Sequence, residues 1–212
     1  GVAFYIYNVL LKKERNFVLS HNFWGPEYSD EYVKNFLNTN KIKYSEFKNE
    51  KELIEKTAKL IFEKNIVGWF QGRMEWGPRA LGARSILASA CYPDIKDILN
   101  LKVKHREKFR PFAPVIPAEN AKEWFDCDNP LPDPADFMLM VYPVKEDKKK
   151  LIPAVVHVDG SGRLQTIKRE QNTLYYDLIR EFERLTKIPI LVNTSFNIRG
   201  EPIVCTPHDA YR

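Results

Sequence analysis

A basic, glycine-rich stretch from Gly68 to Leu87 contains the first residues that are well suited to chemistry. Its polar side chains are three guanidinium groups, one carboxylate and one hydroxyl, on Arg73, Arg79, Arg84, Glu75 and Ser85. A guanidinium offers paired N–H donors that match the oxygens of a phosphate or a carboxylate. The glycines would let the backbone approach such a ligand closely. Alone, three scattered arginines fit a solvated basic turn better than a binding site, so the interpretation depends on further segments.

A second segment, from Lys102 to Ile116, has the same basic character. Lys104, Arg106 and Arg110 precede the apolar run 111–116, which predicts a strand that enters a core. If the chain is extended at Lys104 and Arg106, the two-residue spacing places both side chains on one face. The prolines within the run favour an edge strand or a bulge over a central strand.

A third segment joins an apolar strand signature, 188–192, to a cluster of short polar side chains. The cluster offers amides, hydroxyls and a guanidinium, on Asn193, Thr194, Ser195, Asn197 and Arg199. Such groups at the end of a buried strand suit direct ligand binding. By itself the cluster would equally fit an ordinary turn. A fourth element, 157–165, adds Arg163 and Gln165, which share a face if the chain is extended there, although a hairpin with an exposed arginine fits equally well.

Taken in order, these segments resemble the C-terminal domain of the nodulation-type O-carbamoyltransferases, a family that carbamoylates hydroxyl groups of antibiotics and Nod-factor sugars. The resemblance rests on the motifs 72–87, 106–114 and 192–207 and covers nearly the whole chain. It implies a fold similar to YrdC, in which a Lys-x-Arg element and a Ser-x-Asn element bind nucleotide and phosphate groups. Lys104 and Arg106 stand at the first element, and Ser195 and Asn197 stand at the second.

The resemblance also implies a reaction scheme that uses carbamoyl phosphate, ATP and Mg²⁺. Carbamate released from carbamoyl phosphate would attack the α-phosphate of ATP, giving carbamoyl adenylate and pyrophosphate, with Mg²⁺ shielding charge. The adenylate would pass to an actin-like N-terminal domain, which holds the family's metal-binding residues and the acceptor site. No metal ligand is therefore expected in this chain. Together, the residues of the four segments and the resemblance give Arg73, Lys104, Arg106 and Arg163 as the expected catalytic residues. The expected substrate- or nucleotide-binding residues are Arg79, Arg84, Ser85, Arg110, Gln165, Asn193, Thr194, Ser195, Asn197 and Arg199.

Composition narrows the class of protein. The 212 residues are enough for one sizeable domain with a full core. A net charge of +5 indicates an anionic partner without choosing among nucleotide, nucleic acid and membrane. Three widely spaced cysteines without a C-x-x-C pair favour a reducing cytosol, so a cytoplasmic protein is expected. No apolar run approaches ~20 residues, and a membrane span is not expected. The sequence contains neither a P-loop nor a G-x-G-x-x-G motif.

Alternating strand and helix signals predict an α/β (α+β) protein with a twisted mixed sheet flanked by helices. Residues 1–40 predict a helical segment that links to an actin-like N-terminal domain outside this chain, and 41–212 predict the YrdC-like domain. Helices are predicted at 2–14, 29–38, 53–61, 93–101, 118–125 and 175–185. Strands are predicted at 42–47, 66–70, 111–116, 137–142, 155–158, 164–167 and 188–192, with loops at 126–136 and 145–150.

Two other functions remain open from the sequence. A YrdC-like module that binds RNA or tRNA would show steep salt dependence of polynucleotide binding. Against it, the arginines lie in Gly/Pro-rich loops and not on a basic helix face. A non-catalytic interaction domain would bind no nucleotide at all. A homodimer is also left open. Because carbamate and its adenylate are labile in water and would have to cross to the partner domain, Phe23 and Trp24 are predicted to belong to an apolar edge that packs on that domain.

Overall fold

A five-stranded mixed sheet forms the centre of the molecule. The computed structural model describes residues 1–128 and 133–212. The strands are β1 (Val67–Phe70), β2 (Arg84–Ser89), β3 (Ala113–Pro117), β4 (Tyr142–Pro143), β5 (Ser161–Gly162), β6 (Gln165–Ile167) and β7 (Leu191–Ser195). The sheet order is β1-β2-β7-β3-β6, and β4 pairs with β5 in a separate ribbon. Neighbours in the large sheet are antiparallel, except for the parallel pair β3–β6.

Helices cover the sheet. The α-helices are α1 (Val2–Tyr5), α2 (Asp30–Thr39), α3 (Glu50–Phe62), α4 (Asp94–Ile98), α5 (Ala121–Trp124), α6 (Thr173–Thr186) and α7 (Pro207–Tyr211). Wider turns of π-helix continue α1 and α4, over Ile6–Leu10 and Leu99–Val103. Single turns of 3₁₀-helix lie at Ala118–Asn120, Asp133–Phe137 and Lys149–Leu151. The prediction of an α/β protein with a mixed sheet flanked by helices is confirmed.

The two faces of the sheet carry separate hydrophobic cores. Successive side chains of a strand point to opposite faces, so β2 gives Ile86 to one core and Leu87 to the other. The Leu87 core is closed by α3 and α6, whose buried side chains include Ile61 and Phe182. The core around Ile86 is closed by α4, α5 and the segment near β4. The sheet is therefore buried on both sides, and its exposed features are its ends.

Side-chain caps fix where the longer helices begin. The Ser29 hydroxyl accepts a hydrogen bond from the Tyr32 N–H at 3.2 Å, which confirms the predicted start of α2. Asn49 and Asn172 cap α3 and α6 through their amide oxygens. In α7, Thr206 forms a reciprocal capping box with Asp209. Predicted helices over 53–61 and 175–185 are confirmed, and the predicted helix over 93–101 continues to Val103.

Several predicted strands and loops are wrong. Residues 42–47 form no strand, and neither do 155–158. The predicted strand 137–142 is replaced by a 3₁₀ turn at Asp133–Phe137 and the two residues of β4, so the predicted loop 126–136 is also partly helical. Within that loop, residues 129–132 lie outside the described residues. The predicted helix over 2–14 ends at Leu10.

The prediction that the prolines place β3 at an edge is also wrong. β3 lies inside the sheet, between β7 and β6. Pro114 is paired with Val192 of β7, whereas pairing with β6 begins only at Val115. Because Pro114 precedes the stretch that has partners on both sides, its missing N–H is tolerated inside the sheet.

The N-terminal segment exposes many apolar side chains. Val2, Leu10 and Val18 are 76%, 62% and 75% exposed, and Trp24 is 54% exposed. Phe23 is partly buried. Contact of this segment with another domain stays a prediction, as does a domain boundary at residue 40. None of the helices within 1–128 and 133–212 has the length and apolar character needed to cross a bilayer.

Candidate anion-binding site

The predicted polar segments meet at one edge of the sheet. β2, β3 and β6 begin at this edge and β7 ends there, because β7 runs antiparallel to β2 and β3 while β6 runs parallel to β3. The residues that precede β2, β3 and β6 and those that follow β7 are therefore neighbours in space. This topology explains how segments more than a hundred residues apart in the chain can build one site.

Two adjoining cavities lie between these segments. The first, here called the Lys104 cavity, has a volume of about 230 Å³ and is bordered by Lys104, Arg106, Glu107, Arg110, Thr194, Ser195, Asn197, Ile198, Arg199 and Gly200. The second, the Arg163 cavity, has a volume of about 210 Å³ and is bordered by Pro78, Arg79, Ala80, Arg106, Pro111, Phe112, Ala113, Met138, Arg163, Asn193, Thr194 and Ser195. They share Arg106, Thr194 and Ser195. Among these lining residues, five guanidinium groups and one ammonium face a single carboxylate, that of Glu107.

Lys104 ties the two sides of its cavity together. Its Nζ donates to the backbone oxygens of Ser195 and Asn197 at 2.6 and 2.9 Å and to Asn197 Oδ1 at 2.8 Å. The side chain is only 6% exposed. Burial, together with the charge of Arg106, lowers the pKa of Lys104 to about 8. The ammonium therefore positions the segment after β7 while keeping its charge at the cavity wall.

The backbone between Lys104 and Arg106 is not extended, so the expectation of an extended stretch is wrong. Lys104 has helical dihedral angles of −92° and −14°, and His105 has a left-handed φ of 46°. The two side chains nevertheless border the same cavity, because the turn at His105 brings both toward it. The carbonyl of His105 also accepts a hydrogen bond from Arg199 at 3.0 Å.

Asn100 is a site residue that the sequence did not reveal. Its Oδ1 accepts a hydrogen bond from Arg106 Nε at 2.7 Å, and its Nδ2 donates to the carbonyls of Lys108 and Arg110. The side chain is fully buried. Arg106 also stacks on Phe112, with the guanidinium carbon 4.8 Å from the ring centroid. The available signal was an amide between the two apolar residues Leu99 and Leu101, four residues before Lys104.

Three guanidinium groups converge on the Arg163 cavity, those of Arg79, Arg106 and Arg163. Burial lowers the pKa of Arg163, and the positive charges of Arg79 and Arg106 lower it further. Arg106 responds in the same way to burial and to Arg110, with Glu107 acting in the opposite direction. No carboxylate lines this cavity among the described residues. A ligand with two or more negative charges would relieve the mutual repulsion of these cations.

An amide network closes the floor of the Arg163 cavity. Asn193 donates from Nδ2 to Gln165 Oε1 at 2.6 Å and to the Ala80 carbonyl at 3.1 Å. Gln165 donates in turn from Nε2 to the Leu81 carbonyl at 3.0 Å. Gln165 lies behind Asn193 and does not line either cavity. Asn193 and Thr194 belong to β7 itself, so the polar cluster begins within the strand and not after it.

Arg73, Arg84 and Ser85 lie outside both cavities. Arg84 is fully buried, and its guanidinium donates to four backbone carbonyls and stacks 3.5 Å above the ring of Phe70. Ser85 accepts a hydrogen bond from the Gly82 N–H. Arg73 is exposed and donates to the Gly25 carbonyl. The sequence predicted that all three lie in one loop. In the structure β2 begins at Arg84, so Arg84 and Ser85 belong to a buried strand.

Glu75 shapes the loop that carries Arg79. The carboxylate is 5% exposed, and Oε1 accepts hydrogen bonds from the N–H groups of Leu81 and Ala83 at 2.6 and 2.7 Å. Between these residues, Gly82 has a φ of +114°, and an added Cβ would lie 2.2 Å from the Tyr175 ring. A carboxylate that gathers backbone N–H groups holds the loop in one conformation. The site thus depends on Glu75 although Glu75 does not border a cavity.

The fold and the site define an α/β domain with two adjoining basic cavities at one end of its central strands. Residues 58–212 match the family model described as "Carbamoyltransferase C-terminus". The chain belongs to this family, and the resemblance found in its motifs is confirmed.

Similar proteins are considerably longer. The chain is 42% identical to nodulation protein NolNO of Sinorhizobium fredii over 217 residues, which cover 99% of the chain and 31% of that protein. It is 46% identical to nodulation protein U of Rhizobium tropici over 143 residues, which cover 68% of the chain and 24% of that protein. An uncharacterized protein of Synechocystis is 39% identical, with 100% of the chain and 38% of that protein covered. The chain therefore spans a quarter to two fifths of the length of these relatives.

A solved structure shares the fold. Full-length HypF, in a phosphate- and nucleotide-bound form, superposes with a TM-score of 0.50 and 20% sequence identity. The match covers 71% of the chain and 21% of HypF. At this identity the likeness concerns the arrangement of strands and helices.

Proposed function

We propose that this chain forms carbamoyl adenylate from carbamoyl phosphate and ATP, in the cytoplasm, for transfer to a hydroxyl acceptor by an actin-like domain outside this chain. Family membership supports carbamoyl chemistry. The observation that carries the proposal is the pair of basic cavities that share Arg106, Thr194 and Ser195. Two adjoining sites for anions are what a reaction between two phosphorylated substrates needs.

The proposed reaction has two steps. Water cleaves the bond between the carbamoyl group and phosphate, which releases inorganic phosphate and carbamate. A carbamate oxygen then attacks the α-phosphorus of ATP, and the bond to the β-phosphate breaks, so that carbamoyl adenylate and pyrophosphate form. Arg106 lies between the two cavities and can contact the anion in each of them. Its guanidinium would stabilise negative charge as it moves from one substrate to the other.

The residues present fit a triphosphate chain. In the Lys104 cavity, Lys104, Arg110 and Arg199 supply positive charge, and Ser195 and Thr194 supply hydroxyl donors. In the Arg163 cavity, Arg79 and Arg163 would hold the carbamoyl substrate. These assignments make the catalytic residues Lys104, Arg106 and Arg163. Arg73, which lies outside both cavities, is not among them.

Mg²⁺ fits this site only as a partner of the substrate phosphates. The described residues contain no cluster of three His, Cys, Asp or Glu side chains that could hold a metal ion by themselves. Glu107 borders the Lys104 cavity and forms an ion pair with Arg110 at 2.9 Å. Mg²⁺ commonly combines one carboxylate with phosphate oxygens and water, and Glu107 is the carboxylate placed for this. When bound, the ion would neutralise charge on the phosphates.

Exchange of labelled pyrophosphate into ATP tests the proposal directly, because the exchange reports reversal of adenylate formation and needs no acceptor. The expected result is exchange that depends on carbamoyl phosphate and Mg²⁺. Arg106→Ala should reduce the exchange rate by at least about tenfold, since a charge-assisted contact contributes about 1.5–3 kcal/mol. Arg15→Ala, outside both cavities, is the control. Exchange that proceeds equally well without carbamoyl phosphate, or none with the wild-type protein, would overturn the proposal.

A further inference from the structure

The side chain of Asn193 lies at the floor of the Arg163 cavity and is held there by two hydrogen bonds. It lies in the middle of the sheet, paired with Leu87 of β2 on one side and Ala113 of β3 on the other. The residue is 1% exposed and borders the cavity beside Arg79 and Arg163. A position fixed by two neighbouring strands gives the side chain little freedom to move.

The hydrogen bonds around Asn193 determine which way its amide faces. The carbonyl oxygens of Leu81 and Ala80 can only accept hydrogen bonds. Gln165 must therefore present its nitrogen to Leu81, and its oxygen then faces Asn193. Asn193 meets two acceptors, the Gln165 oxygen and the Ala80 carbonyl, so its nitrogen must face them. A flip of either amide would set two acceptors against each other.

This arrangement leaves the oxygen of Asn193 free. Since the amide nitrogen is held by Gln165 and Ala80, the oxygen turns away from both. Asn193 Oδ1 is buried and accepts no hydrogen bond from any residue within 1–128 and 133–212. A buried acceptor without a donor is unfavourable unless a bound molecule supplies the donor. The cations of this cavity attract an anion, and Asn193 favours an anion that carries an N–H or O–H donor.

We propose that Asn193 recognises the amino group of the carbamoyl substrate and makes the site select carbamoyl over acyl phosphates. The inference rests on the proposed function, because it takes the ligand of the Arg163 cavity to be carbamoyl phosphate or carbamate. An acetyl group has the same shape but carries a methyl group where the carbamoyl group carries NH₂. Acetyl phosphate therefore brings the same charge to the arginines and leaves the Asn193 oxygen without a donor. A site built around such a hydrogen bond discriminates against the analogue that lacks it.

The test compares the affinities of the protein for carbamoyl phosphate, acetyl phosphate and inorganic phosphate by calorimetry, at low temperature to limit hydrolysis. The wild-type protein should bind carbamoyl phosphate about tenfold or more tightly than acetyl phosphate. Asn193→Ala should reduce this preference to within about twofold and leave the affinity for inorganic phosphate nearly unchanged. Asn120→Ala, which removes a surface amide bonded to Arg180, is the matched control and should keep the wild-type preference.

The possible outcomes separate the inference from the proposed function. Equal affinity of the wild-type protein for carbamoyl and acetyl phosphate would overturn the role of Asn193 and leave adenylate formation standing. A preference that survives in Asn193→Ala would overturn it too. Failure of the wild-type protein to bind either acyl phosphate would remove the proposed function itself. If Asn193→Ala does not fold, as circular dichroism would show, the wild-type comparison still tests the inference, because equal affinities for the two acyl phosphates would overturn it without any variant.

Discussion

Replacement of Arg106 by alanine should weaken pyrophosphate binding by about 10- to 100-fold. The guanidinium borders both cavities, and its orientation is fixed by hydrogen bonds from Nε to Asn100 Oδ1 at 2.7 Å and from one outer nitrogen to the Pro111 carbonyl at 3.5 Å. Loss of one charge-assisted hydrogen bond corresponds to about 1.5–3 kcal/mol, and each 1.4 kcal/mol is a factor of ten in Kd. Arg106→Lys keeps the charge but loses the planar fork and the stacking on Phe112, and it should fall between wild type and alanine.

Arg106→Ala should also lower the free energy of unfolding. The binding assay must therefore distinguish a loss of affinity from a loss of folded protein. Without Arg106, the buried Oδ1 of Asn100 has no donor, at a cost of about 1–3 kcal/mol. For a chain of this size each kcal/mol lowers the melting temperature by about 2–4 °C. Calorimetric titration with pyrophosphate should therefore be run well below the melting temperature of the variant, with Arg15→Ala as control. A folded Arg106→Ala protein that binds pyrophosphate within about twofold of wild type would refute the assignment of Arg106 to the site.

Three further predictions follow from the geometry. Pyrophosphate affinity should fall as the pH rises above about 8, because Lys104 loses its proton there. Lys104→Met should flatten this pH profile. A wild-type Kd for pyrophosphate that does not change between pH 7 and 10 would contradict the prediction. Arg163→Ala should weaken carbamoyl phosphate binding at least about tenfold, whereas Arg73→Ala should leave the Kd for carbamoyl phosphate within about twofold of wild type. Equal losses would show that Arg73 reaches the site. Glu75→Gln should lower the free energy of unfolding in urea by about 1–3 kcal/mol, because the N–H groups of Leu81 and Ala83 lose a charged acceptor. An unchanged midpoint of urea unfolding would mean that Glu75 does not hold this loop.

Local signals in the sequence predicted the elements that local interactions stabilise. The Ser29 cap and the apolar faces of α3 and α6 depend on neighbours within a few residues, and these helices form where expected. The predicted strand 42–47 failed because a strand requires partners, and this segment lies between two helices, outside the sheet. There the Ile42 N–H bonds back to the Leu37 carbonyl. Likewise, the local rule on prolines could not anticipate that β6 begins opposite Val115.

The charged residues show a similar limit. The sequence identified the segments that carry the site, and the structure brings Arg79, Arg106, Arg163 and Arg199 to its two cavities. It could not distinguish these from Arg84, whose four acceptors are backbone carbonyls from three separate parts of the chain. An arginine that stabilises loops and an arginine that binds a ligand have the same local sequence character. Their difference appears only after the fold decides which donors are already satisfied.

The position of the last strand governs the order in which the protein can assemble. β2 and β3 are joined within the sheet through β7, so the sheet consists of two separate halves until residues 191–195 are in place. Lys104 likewise finds its acceptors only on Ser195 and beyond. During synthesis, residues 191–195 must therefore be available before the sheet can close. Pairings between such distant segments form slowly, and a nascent or truncated chain that ends before β7 would expose two unpaired strand edges.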